Sequence, residues 1–179
     1  MKKLMLLAMM IGLLISGCAH FRPENTYEET VSAWTSYKDV ETWMRDVFKY
    51  DHGRLRDLLH SGGGTVYPTR ITFLLKGGVC WDGARFIKET LDRINPAYEA
   101  QIVYIDKRTR DVDHYVCSFK LNGKLYIMDY ATVHGLMRGT HGPYNSLEDY
   151  KAFIGYLTPS PLSRQKMGVH LVHSLTSLP

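Results

Sequence analysis

Two runs of strand-like alternation, His114 to Leu121 and Lys124 to Tyr130, are separated only by Asn122-Gly123. Asn-Gly is the strongest short-range hairpin signal, because both residues accept the positive φ angles of a two-residue turn. Such a turn sets Leu121 opposite Lys124, and the whole register follows: Val116 faces Asp129 and His114 faces Ala131. Side chains alternate with period two, so these two pairs share a face. His114 and Asp129 become diagonal neighbours, with Cβ atoms about 7–8 Å apart or less, which an imidazole–carboxylate hydrogen bond can span. Cys117 is assigned by the same parity to the opposite face.

Upstream the period changes to that of helices. Val40, Trp43, Met44, Val47 and Phe48 lie on one helical face, with Ser36 or Asp39 placed to cap it. Arg54 to His60 and Pro68 to Leu75 read as two further short helices. Ala84, Ile87, Leu91 and Ile94 mark a longer one that Asn95-Pro96 closes. Ala100 to Ile105 is a third strand, Asn145 or Ser146 caps a helix to about Leu157, and the tail segment Gly168 to Leu175 (GVHLVHSL) adds a strand. Helices first and strands after make the fold class α+β, with N-terminal helices packed on a small antiparallel sheet. Neither an internal repeat nor a second domain is visible.

Cys80 falls at the start of the longest helix. Unpaired amides and the positive end of the helix dipole favour a thiolate there. Gly77 and Gly78 before it permit a tight turn. The Cys80 amide is a natural oxyanion donor, with Trp81 and Tyr67 as weaker candidates. A thiol needs a base, and the hairpin offers His114, whose free ring nitrogen would serve Cys80 while Asp129 holds the other.

Other chemistries fit less well. Ser61-Gly62-Gly63-Gly64 lacks the GxxxxGK[ST] pattern of a nucleotide loop. His134, His141, His170 and His173 invite a metal reading. Only the last two are closely spaced, however, and i, i+3 aligns them on a helix, whereas their segment reads as a strand. No metal or other cofactor is expected. Asp82 reads as a first-turn acid without a chemical role, and Asp113 as a solvated strand end.

The first residues place Lys2 and Lys3 before an apolar run from Leu4 to Ile15, too short for the roughly 20 residues of a membrane span. Residues 1–17 are expected to be a signal peptide. Ile15-Ser16-Gly17-Cys18 resembles the bacterial lipobox, which implies that Cys18 becomes a lipidated first residue, held at the cell envelope. With Ala19 after it, the anchor would be the outer membrane, facing the periplasm, in a Gram-negative cell. Residues 18–35 are expected to tether the lipid to a domain spanning 36–179. The whole chain carries 22 basic and 18 acidic residues. Removing the leader takes away two lysines and no acid, so no strong polyanion partner, and no nucleic acid, is implied.

Taken together, Gly78-Val79-Cys80-Trp81 with Asp82, Ala84 and Phe86, then Asp113-His114-Tyr115-Val116, then Tyr126-Ile127-Met128-Asp129 resemble the transglutaminase-like superfamily, related to papain-like cysteine enzymes. The resemblance covers about residues 68–131. It implies a papain-like core with Cys80 as nucleophile, His114 as base and then acid, and Asp129 as the orienting carboxylate. The implied chemistry is acyl transfer through a thioester on a peptide or protein amide. In so small a domain hydrolysis by a peptidase or amidase is favoured over protein-glutamine transglutamination or deamidation. A non-catalytic envelope binding module of the same fold is the alternative from another class. A disulfide between Cys80 and Cys117 competes in an oxidising compartment, and parity opposes it.

Overall fold

The computed structural model describes residues 25–106, 113–133, 135–157 and 168–172. The leader, the lipid candidate Cys18, His134 and His173 lie outside them. Helix α1 (Tyr27–Ser32) is closed by a capping box: Thr26 Oγ accepts from the Glu29 amide, and the Glu29 carboxylate takes the Thr26 amide at 2.8 Å. Helix α2 (Tyr37–Asp46) repeats the device with Ser36 and Asp39, so both expected caps act as one reciprocal pair.

The folded unit therefore begins before Ser36, and the expected tether of residues 18–35 is corrected in its second half. Tyr27 and Val31 are buried in the core. Tyr27 meets the edges of Phe73 and Phe86, and its hydroxyl shares a 3.1 Å hydrogen bond with Thr90. An apolar pair over a single turn is too short to register as a period.

Strand β1 (Lys49–Tyr50) leads into helix α3 (His52–Ser61), which stops at Gly62 in the left-handed region. Helix α4 (Thr69–Leu75) ends on Lys76 with φ 53°, and strand β2 (Gly77–Gly78) then pairs in parallel with β1. The two glycines thus serve close approach instead of a tight turn. A Cβ on Gly77 would lie 2.6 Å from the Lys49 carbonyl oxygen, and one on Gly78 would lie 2.7 Å from the Asp82 Cβ.

Helix α5 (Cys80–Ile94) is the central helix, followed by a 3₁₀ turn (Pro96–Tyr98). Strands β3 (Gln101–Asp106), β4 (His114–Leu121), β5 (Lys124–Asp129), β6 (Gly139–Tyr144) and β7 (Gly168–Val172) form an antiparallel sheet in the order β6-β5-β4-β3-β7. The hairpin holds the expected register, with Leu121 opposite Lys124 and Cys117 opposite Met128, and both turn residues have positive φ. β6 is unforeseen, since Gly-Thr-His-Gly-Pro-Tyr carries no apolar alternation.

Each sheet face has its own cover. On one, Phe86, Ile87 and Leu91 of α5 pack with Cys117, Phe119 and Met128. On the other, Tyr150 and Ile154 of helix α6 (Leu147–Leu157) pack on Val103, Ile105, Val116 and Ile127. The architecture is the expected α+β arrangement of helices on a small antiparallel sheet, with the C-terminal helix α6 covering the second face. No described helix is long and apolar enough to cross a membrane.

Candidate functional site

His114 opens β4 and Asp129 closes β5, so the strand ends bring both to one end of the sheet. Both are buried, and His114 Nε2 lies 2.8 Å from Asp129 Oδ2. A carboxylate can only accept, so Nε2 carries the proton of this bond and Nδ1 is left for the hydrogen bond to Cys80. Burial alone would lower the His114 pKa. The Asp129 charge and the hydrogen bonds to Asp129 and Cys80 outweigh it and push the value up to about 10. At neutral pH the ring is an imidazolium. Asp129 Oδ1 is buried with no hydrogen-bond partner among the described residues, so the carboxylate relies on that imidazolium for compensation.

Cys80 is the first residue of α5, and the helix start is held from outside its own backbone. Val79 at the cap position has no side-chain acceptor; Asp82 Oδ2 instead reaches back to the Val79 amide at 3.0 Å. The same carboxylate is fully buried. It accepts from Arg54 Nε at 2.8 Å and from the Tyr67 amide at 2.7 Å. Asp82 thus ties α3, the segment before α4 and the Cys80 helix to one point, where the sequence suggested only a helix-dipole acid. The buried pair has a positional role.

The face that Cys80 uses differs from the parity expectation. α5 lies on the Cys117 face of the sheet, where Cys80 and Ala84 cluster with Tyr115 and Ile102. Cys80 meets His114 because His114 is a strand end, not because the two share a face. Cys117 is nonetheless a free, buried thiol. It sits among Ile87 and Leu91, two turns further along α5, and desolvation raises its pKa. Distance along the helix, not parity, separates it from Cys80.

The oxyanion candidates are placed unequally. The Cys80 amide belongs to the first turn of α5, where amides lack intrahelical acceptors. Trp81 Nε1 is buried without an acceptor among the described residues, and Trp81 lines the same pocket as Cys80. The Tyr67 amide is taken by Asp82, and its ring lies under the Arg54 guanidinium at 3.5 Å, in a different pocket from Cys80.

Sequence reading missed Tyr50. Its position on β1, paired with Gly78 two residues before Cys80, brings its hydroxyl into a hydrogen bond with the Cys80 side chain. Burial, then the nearby Cys80 and Asp129 charges, raises the Tyr50 pKa, so the hydroxyl keeps its proton. A two-residue strand leaves no periodic signal.

Among the described residues, no three histidine, cysteine or carboxylate groups are arranged to hold a metal ion. Asp113 is exposed just before β4, as expected, and accepts from Tyr104 at 2.5 Å; His141 bonds the Met137 carbonyl at 2.7 Å. A family model described as a transglutaminase-like domain matches residues 25–135. No curated protein matches the chain.

Proposed function

The chain belongs to the transglutaminase-like domain family, and from that premise we propose that it is a thiol hydrolase, a peptidase or amidase, in which Cys80, His114 and Asp129 act as a triad. The single observation that carries this reading is the buried chain of contacts from Cys80 through His114 to Asp129 Oδ2.

The steps follow from the groups present. The Cys80 thiolate attacks an amide carbonyl, forming the S–C bond, while negative charge collects on the carbonyl oxygen. The first-turn amides of α5 and the Tyr50 hydroxyl lie beside the sulfur, where that charge can be met by donors already oriented. The His114 imidazolium delivers its proton to the leaving nitrogen as the C–N bond breaks, leaving a thioester and a neutral ring. That ring takes a proton from water as it attacks, the thiolate leaves, and the imidazolium returns. Asp129 stabilises the charged ring throughout.

The proposal extends to location. Cys18 in its lipobox-like context would hold the enzyme by lipid at a bacterial envelope, on the periplasmic side of the outer membrane in a Gram-negative cell. Radiolabelled fatty acid should enter the wild-type chain and not Cys18→Ala.

An activity-based thiol probe should label Cys80 in the wild type and not in His114→Ala. A glutamine peptide incubated with an amine separates hydrolysis from transfer: product joined to the amine without cleavage sinks the hydrolase reading in favour of transglutamination. If Cys80 reacts with iodoacetamide at pH 6 no faster than a free thiol, with or without His114, the chain is a binding module of this fold.

A further inference from the structure

Helix α3 is amphipathic yet covers no core. Leu55, Leu58 and Leu59 stand at i, i+3 and i+4, the spacing by which a helix normally seats itself on its neighbours, but no residue of α3 is buried and Leu59 is 59% exposed. The helix is held by polar anchors instead: Arg54 reaches Asp82 at 2.8 Å and the Thr65 carbonyl at 2.6 Å. Its apolar stripe faces a cavity of about 240 Å³ whose remaining wall includes Trp81, Tyr115 and Cys80 itself.

Three features fix what such a cavity takes. It is smaller than the roughly 300–1,000 Å³ of pockets for drug-sized ligands, so it suits a single side chain. Three leucines and two aromatic rings reward burial of aliphatic carbon. Asp113 also lines it, where its charge disfavours an acidic group. Because Cys80 lines the cavity, whatever fills it lies next to the residue that attacks.

We propose that this groove is the specificity subsite for the acyl side of the substrate, and that it selects an aliphatic, leucine-like side chain on the residue whose main-chain carbonyl Cys80 attacks. The inference rests on the thiol-hydrolase reading and sharpens it. A main-chain amide beside an aliphatic residue is the substrate class, not the side-chain carboxamide of glutamine.

The test compares alkylation of Cys80 in the full domain by the chloromethyl ketones of N-acetyl-leucine, N-acetyl-glutamine and N-acetyl-glycine, with iodoacetamide as a probe that needs no subsite. Second-order rates are read by mass spectrometry. The leucine reagent should outpace the glycine and glutamine reagents by about 10-fold or more. In Leu58→Ser and Leu59→Ser, checked for folding by circular dichroism, the leucine-to-glycine ratio should fall at least about threefold, a change of this size being ordinary for loss of part of an apolar wall. Equal rates for leucine and glycine, a preference for glutamine, or a ratio untouched in both variants would overturn the subsite while fast, His114-dependent alkylation by iodoacetamide left the nucleophile standing. Uniformly slow alkylation, iodoacetamide included, removes the nucleophile and the subsite together.

Discussion

At the scale of single residues, the site is a chain of compensated charge in which His114 stands in the middle. Its pKa of about 10 in the fold, against 6.5 for an ordinary histidine, means that the folded state binds the proton more tightly than the unfolded state. The stabilisation is therefore complete below about pH 6.5 and is lost as pH rises through about 10. Denaturation followed from pH 6 to pH 11 should show a decline that is shallower in His114→Ala; parallel curves would mean that the pair contributes no linkage. Turnover should lose its proton donor over the same alkaline range. Tyr50 belongs to this scale too. Replacing it by Phe removes one hydroxyl donor from beside the sulfur and, if charge forms there, should lower kcat by about 100-fold with KM within about twofold. A change in KM alone would place Tyr50 in ground-state binding.

At the scale of elements, the position of Cys80 depends on how the start of α5 is pinned. Asp82 is fully buried, and Arg54 supplies its cationic partner across two helices. Arg54→Met keeps much of the side-chain volume but leaves the carboxylate uncompensated, so it should cost about 3–5 kcal/mol of stability, read by urea denaturation. Because α3 carries the groove leucines on the same anchor, the leucine preference should weaken in the variant. A stability loss under about 1 kcal/mol would show that the Val79 and Tyr67 amides suffice to hold Asp82. The hairpin is an element whose consequences were legible in advance. Asn122-Gly123 determined the register, and the register placed His114 against Asp129. The side of the sheet on which α5 packs was not legible, because no local periodicity records which face a distant helix covers. Tyr50 and the link from Asp82 to Arg54 escaped for a related reason: both join residues 28 or more apart in sequence.

At the scale of the molecule, the sheet is covered on both faces, and its N-terminal side is completed by a helix too short to announce itself. α1 contributes Tyr27 and Val31 to the same cluster that holds Phe86 of the Cys80 helix, and the Tyr27 hydroxyl is tied to Thr90 on that helix. The family match also begins at residue 25, ahead of α1. The periodicity that puts the start of the domain near Ser36 overlooks this, since one turn of helix offers a single apolar pair and its stability comes from packing, not propensity. The difference is measurable. Burying a large apolar side chain contributes about 1.5–3 kcal/mol, so removal of both should cost on the order of 3–6 kcal/mol, a large part of the stability of a small domain. A chain starting at residue 25 and one starting at Ser36 should differ by that amount in urea denaturation, and the shorter chain should also lose reactivity at Cys80, because α5 would be left with an open flank at Phe86 and Thr90. If the two chains unfold alike, α1 is an appendage and the domain starts at Ser36. If the shorter chain is destabilised while Cys80 stays fully reactive, α1 supports the core without setting the pose of the Cys80 helix, and the pinning at Asp82 alone positions Cys80.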